Sequence, residues 1–160
     1  MSNHYRFETH WRVPATPEEV TEILTNALDL PRWWPDVYLD VRESSPKIYT
    51  LLTRGKLPYK LRWSFEVTES HPPSGFSLRA WGDLEGTGTW TFARDGAFTD
   101  IRYLWIVNAN KPLLRWLSPI LKPLFEANHR WAMARGEESL LREIARRQQE
   151  KTTQSSYSSG

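Results

Sequence analysis

From Tyr5 to Val13 the chain alternates, with Tyr5, Phe7, Trp11 and Val13 on one face and Arg6, Glu8, His10 and Arg12 on the other. A period of two with one apolar face predicts a half-buried strand, which Pro14 ends. The period then changes. Thr16-Pro17-Glu18-Glu19 has the form of a capping box with proline at the first helical position, and Val20, Ile23, Leu24 and Ala27 follow at helical spacing to about Leu28. Leu30-Pro31-Arg32-Trp33-Trp34-Pro35 interrupts this helix and predicts a short second helix or tight turn. Two adjacent tryptophans between prolines are too costly for a plain linker.

The period returns to two from Val37 to Asn108. Strands are predicted near 37–43, 47–53, 59–69, 76–83, 87–93 and 98–108, joined by turn-forming residues such as Ser45-Pro46, Gly55-Lys56, His71 to Gly75 and Asp95-Gly96. Tyr59, Leu61, Trp63, Phe65 and Val67 make the clearest apolar face. In the strand from Phe76, either Phe76, Leu78 and Ala80 or Arg79 and Trp81 could face inward. Short connections imply an antiparallel meander. From Ser118-Pro119, a capping residue followed by proline, one long helix is predicted to about Arg147, roughly 40 Å at 1.5 Å per residue. Phe125, His129, Ala132, Met133, Gly136, Leu140 and Ile144 form its apolar stripe, and Glu138–Arg142 and Glu143–Arg147 are i,i+4 pairs. Gly136 in mid-helix predicts close approach of a bulky residue such as a strand tryptophan.

The expected fold is therefore α+β: a seven-stranded curved antiparallel sheet wrapped on a long C-terminal helix, with two short helices after the first strand. Residues 1–147 would form a single domain, and the polar residues 148–160 a disordered tail. A curled sheet held off one helix leaves a space between them. Composition says what lines it: nine tryptophans, six tyrosines and six phenylalanines in 160 residues. Tryptophan combines a large apolar surface with an N–H that needs a partner, which suits half-polar cavities. Trp33, Trp34, Tyr59, Trp63, Trp90, Tyr103, Trp105, Phe125, Asn128 and Met133 are the candidate ligand-binding residues.

Charge and motifs exclude more than they assign. A net charge of +2 gives no footprint for nucleic acid. No apolar run reaches membrane-spanning length and no signal pattern opens the chain, so a cytoplasmic protein without membrane contact is expected, as monomer or homodimer. With no cysteine and with His4, His10, His71 and His129 lacking ligand spacing, no metal site and no cofactor are expected. Gly86-Thr87-Gly88 lacks the third glycine of a nucleotide loop and predicts a hairpin or bulge instead. There is no Gly-x-Ser-x-Gly elbow. Residues 113–125 are apolar on several sides and read either as an end-packing segment or as a flap at the cavity mouth.

The chain resembles the START-like, Bet v 1-type helix-grip superfamily called SRPBCC, and within it proteins labelled polyketide cyclase/dehydrase. The residues that carry the resemblance are Leu30 to Pro35, Gly82 to Trp90, the strand Thr99 to Val107 with Tyr103 and Trp105, and Asn128 to Met133 with Gly136. It implies the helix-grip fold and an apolar or aromatic small-molecule ligand: polyketide-, lipid- or isoprenoid-like. In aromatase/cyclases of this fold polar pocket residues position the chain and move protons, which makes Asn128, His129 and Tyr103 the catalytic candidates for a cyclase or dehydratase. The arginine that such pockets carry on a strand has no clear counterpart, since Arg62 falls on a polar face. A non-catalytic carrier or sensor, and a protein-docking domain with a filled core, are the alternatives. Asn128 and His129 could equally form a hydrogen-bonded core pair.

Overall fold

The computed structural model describes residues 4–56, 59–110 and 118–158. Strand β1 (His4–Val13) leads to helix α1 (Pro17–Leu24), whose N-cap Thr16 accepts a hydrogen bond from the Glu19 N–H at 3.1 Å. The helix ends at Leu24, sooner than predicted. Thr25 closes the last turn, its N–H and its hydroxyl both bonding the Thr21 carbonyl, at 3.0 Å and 2.6 Å. A 3₁₀ turn (Ala27–Asp29) and helix α2 (Leu30–Trp33) follow, so the Pro31-Trp33 segment is helical, as its sequence suggests.

Six strands come next: β2 (Tyr38–Ser45), β3 (Ile48–Arg54), β4 (Lys60–His71), β5 (Gly75–Gly82), β6 (Leu84–Asp95) and β7 (Phe98–Ala109). They pair antiparallel in the order β1-β7-β6-β5-β4-β3-β2, so β1 and β2 are the two edges although only α1 and α2 separate them in sequence. In β5 the inward set is Phe76, Leu78 and Ala80. Arg79 and Trp81 point out, with the guanidinium stacked on the indole at 5.0 Å.

The Gly86-Thr87-Gly88 segment is neither hairpin nor bulge. It lies inside β6, which pairs with β7 in unbroken register from Leu84↔Ala109 to Asp95↔Phe98. The need for bare backbone is real: a Cβ at Gly86 would overlap the Ile106 carbonyl, and one at Gly88 would meet the Tyr103 hydroxyl at 2.9 Å and the Trp105 ring at 3.0 Å.

Helix α3 (Ser118–Ser158) packs against the sheet and α2. Phe125, Met133, Leu140 and Ile144 are buried as the stripe predicts. Gly136 does face a tryptophan, but it is Trp34, in the turn after α2, against whose indole a Cβ would overlap. Ser139 and Glu143 are buried too. Glu143 accepts from Arg32 at 2.6 Å and 3.0 Å, from Arg146 at 2.9 Å and 3.0 Å, and from the expected Arg147 at 2.8 Å. Glu138 pairs with Arg135 instead of Arg142, which bonds the Ser139 hydroxyl. Past Arg147, where the polar sequence predicts disorder, the helix continues to Ser158. The Gln148 amide donates to the Pro14 carbonyl at 3.0 Å, Lys151 pairs with Glu19 at 3.7 Å, and Thr152, Thr153 and Ser156 bond carbonyls one turn back. Residues 113–117 of the flap reading lie outside the described residues. Among the described residues no helix is long and apolar enough to cross a membrane.

Candidate functional site

Between the sheet and the helices lie two adjoining compartments. The outer one measures about 250 Å³, and its walls are aromatic: Tyr49, Phe65, Phe76 and Trp90 from the sheet, with Leu24 and Leu30 opposite. Its rim carries the exposed Lys47, Glu69 and Ser70. The inner compartment, about 90 Å³, is bounded by Tyr59, Leu61, Leu84 and Trp105 of the sheet side and by Phe125, Asn128, His129 and Met133 of α3. Trp34, Tyr38, Trp63 and Tyr103 border both, so these four side chains form the waist.

The fold explains why these aromatics leave a space. Tyr103 stacks on Trp90 at 4.0 Å and on Trp105 at 5.8 Å along neighbouring strands, over the bare backbone of Gly88. Rings stacked flat along the sheet give up depth, and α3 is held off by the Trp34 indole wedged against Gly136. The Trp63 indole N–H donates to the Thr53 hydroxyl at 3.0 Å, which donates in turn to the Leu61 carbonyl at 3.4 Å. That fixes the Trp63 ring as a wall.

Of the predicted ligand-binding residues, Trp34, Tyr59, Trp63, Trp90, Tyr103, Trp105, Phe125, Asn128 and Met133 are all brought to one compartment or the other. Trp33 is not. Its ring lies tilted against that of Trp34, centroids 5.6 Å apart, and it is 5% exposed, a core residue bordering neither compartment. Asn128 borders the inner compartment, but its side-chain oxygen accepts the Lys56 backbone N–H at 2.7 Å, holding the β3–β4 connection against α3. That is a positioning contact. Arg62 and Arg79 are exposed and border neither compartment.

His129 is not the hydrogen-bonded core residue that one reading predicts. Its ring stacks on Phe7 at 3.9 Å, and its Nε2 is buried without a partner. Burial, with the neighbouring Arg130 charge, lowers its pKa to about 4, so it is neutral at pH 7. Burial, reinforced by the nearby Tyr38, holds the Tyr103 phenol well above its usual value, and burial does the same for Tyr38 and Tyr59. The interior therefore offers neutral donors and acceptors and no fixed charge from these groups.

Tyr38 was illegible as a site residue. Strand alternation lets only one of Val37 and Tyr38 face in, yet both border the inner compartment. The Val37 and Tyr38 N–H groups both reach back to the Trp34 carbonyl, and the β2–β3 register shifts between Tyr38 and Asp40, which breaks the alternation. Phe65, Phe76 and Leu78 were readable as inward strand positions but carried no sign of bordering space.

The family model described as polyketide cyclase / dehydrase and lipid transport matches residues 4–142. The chain belongs to that family. Among solved structures, this family member is similar to the Zhui aromatase/cyclase from Streptomyces sp. R1128, at 16% identity over 90% of this chain and 95% of that one, with a TM-score of 0.73. It is also similar to a START superfamily protein from Mycobacterium smegmatis (12% identity, 88% and 97% covered, TM-score 0.72) and a conserved protein from Geobacillus kaustophilus (16% identity, 89% and 96% covered, TM-score 0.70). At these identities the likeness establishes the helix-grip fold. Comparison with curated protein sequences finds no match.

Proposed function

We propose that this polyketide cyclase / dehydrase and lipid transport family member binds an apolar or aromatic small molecule, polyketide-, lipid- or isoprenoid-like, in the space between the sheet and the helices, whose larger compartment lies under the α1–α2 segment and not, as the sequence led one to expect, under α3. The observation that carries this reading is the aromatic outer compartment of about 250 Å³. An apolar cavity of about 150 Å³ suffices to bind benzene, so this one has room for a larger ring system. A protein that only docks through its surface has no need of such a space, and a packed core leaves few voids.

The test is saturable binding of apolar probes, such as naphthalene sulfonates, flavonoids and fatty acids, read by tryptophan fluorescence. Trp63→Ala, which removes part of the waist, should weaken binding of a ring-bearing probe about tenfold or more. If no probe binds below millimolar concentration, the docking-domain reading replaces this one.

A second reading, cyclase or dehydratase chemistry, is favoured by one observation: a neutral imidazole with an unpartnered Nε2 on the same compartment as the Tyr103 phenol. Neutral imidazole accepts a proton and phenol donates one, the two tasks that an enolisation and dehydration sequence requires. Under this reading His129→Gln keeps ligand affinity and lowers turnover by about a hundredfold. Unchanged turnover leaves a carrier or sensor.

A further inference from the structure

The buried stripe of α3 has a second stripe behind it. At about 3.6 residues per turn, Leu124, Ala127, Trp131, Ala134, Leu141 and Ala145 lie on the side of the helix nearly opposite Phe125, Met133, Gly136 and Leu140. Leu124 is 50% exposed and Leu141 38%, the three alanines are exposed, and Trp131 is half-buried with the Arg135 guanidinium over its ring at 5.8 Å. Spaced alternately three and four apart, with Glu138 at the one polar step, these are the a and d positions of a heptad repeat. Single apolar residues on a surface need no explanation, but a heptad seam of them calls for a facing helix.

The seam's own chemistry names that helix. Neither Arg130 nor Glu137, which flank the seam on one side, has an ion pair among the described residues. A second α3 laid antiparallel, with Leu124 against the partner's Leu141, sets Trp131 over the partner's Ala134 and Arg130 beside the partner's Glu137. By the twofold symmetry of such a pair each contact occurs twice. Large meets small, and positive meets negative. Glu138, held by Arg135 of its own helix at 3.1 Å, then faces the partner's Ala127, with the partner's Arg130 one turn away. A single polar residue within an apolar seam specifies register in this way. A parallel copy does worse on every count: Trp131 meets the partner's Trp131, Glu138 the partner's Glu138, and Arg130 the partner's Arg135.

We propose that this chain forms an antiparallel homodimer through the outer side of α3, along the seam from Leu124 to Ala145. None of the six apolar seam residues borders either compartment, so the dimer leaves both as they are. A short seam with alanine at half of its apolar positions makes a modest interface, and association is expected in the micromolar range.

Sedimentation velocity across micromolar to submillimolar concentrations of the full chain should show a monomer–dimer equilibrium. Arg130→Glu and Glu137→Arg each set like charges against each other across the twofold, and each alone should weaken association by about tenfold or more. An equimolar mixture of the two variants restores both opposite-charge contacts and should recover the dimer. Circular dichroism checks that each variant keeps its fold. Orientation is read by cross-linking, since the chain has no cysteine of its own. An equimolar mixture of Leu124→Cys and Leu141→Cys should form the mixed disulfide in preference to either symmetric one. Monomer at every concentration would overturn the dimer. A dimer indifferent to both charge reversals, or one that forms the symmetric disulfides instead, would overturn the antiparallel seam.

Discussion

The half-buried His129 and the buried Glu143 are two titratable side chains on α3 whose pH behaviour separates cleanly. Burial and Arg130 lower the His129 pKa to about 4, against 6.5 for an ordinary histidine. As pH falls from 6.5 towards 4, the unfolded chain takes up this proton before the folded one does, so folding stability declines through that window by an amount on the order of 3 kcal/mol. His129→Gln should abolish that part of the decline, measured as a flatter dependence of the urea midpoint on pH between 6.5 and 4.5. For Glu143, burial works to raise the pKa, but hydrogen bonds from Arg146, Arg32 and Arg147 outweigh it and hold the carboxyl far below its usual range. Its stabilisation is therefore complete above about pH 4.5 and is lost as pH falls below that value. Glu143→Gln keeps the shape and gives up charge-assisted bonds, so it should cost about 1.5–3 kcal/mol at pH 7 and measurably less at pH 3, where part of the carboxylate's stabilisation is already lost. A variant equally destabilised at both pH values would contradict the clamp.

At the scale of elements, the contact between α3 and the turn after α2 decides how far the helix stands from the sheet. Alanine in place of a mid-helix glycine ordinarily gains about 1 kcal/mol. Gly136→Ala should instead lose about 1–3 kcal/mol, because the methyl must displace the Trp34 indole in a packed interior. Urea denaturation gives the sign directly. The sequence told that Gly136 needs a bulky neighbour, since nothing else compensates its cost, but not which one. Local pattern reports a face and a period, and the pairing of Gly136 with Trp34 across a hundred residues is set by topology. The same division runs through the site. Trp63, Trp90, Tyr103 and Trp105 were legible because strand alternation put them inward, whereas Tyr38 was hidden by a register shift that no single residue announces. Trp33 and Trp34 look alike in sequence, as a tryptophan pair between prolines, yet on a helical turn adjacent residues do not share a face and only Trp34 borders the space.

For the whole molecule, the strands, the long helix and the sheet's apolar face followed from periodicity, because each is repeated over many residues, and the meander from β2 to β7 followed from short connections; the place of β1 beside β7 did not. The end of α3 was not legible, as a polar helix with few tertiary contacts has no stripe to betray it. Truncation after Arg147 should remove exposed contacts, among them the Gln148–Pro14 bond, the Lys151–Glu19 pair and the Arg146–Glu150 pair. The expected loss is less than about 1 kcal/mol, with affinity for apolar probes unchanged. A larger loss, seen in thermal or urea melts, would mean that the extension belongs to the folded unit.

The pairing of β1 with β7 has a consequence for how the chain is made. Tyr5 meets Val107 and Trp11 meets Ile101, so the first strand synthesised waits for the last. At ribosomal speeds of about 5–20 residues per second, that is on the order of five to twenty seconds during which Tyr5, Phe7, Trp11 and Val13 have no sheet to join. Non-local pairings of this kind also slow folding. A nascent chain stalled at Asp95, with β7 still unmade, should therefore be a client for chaperones, and one released from the ribosome after α3 has emerged should not.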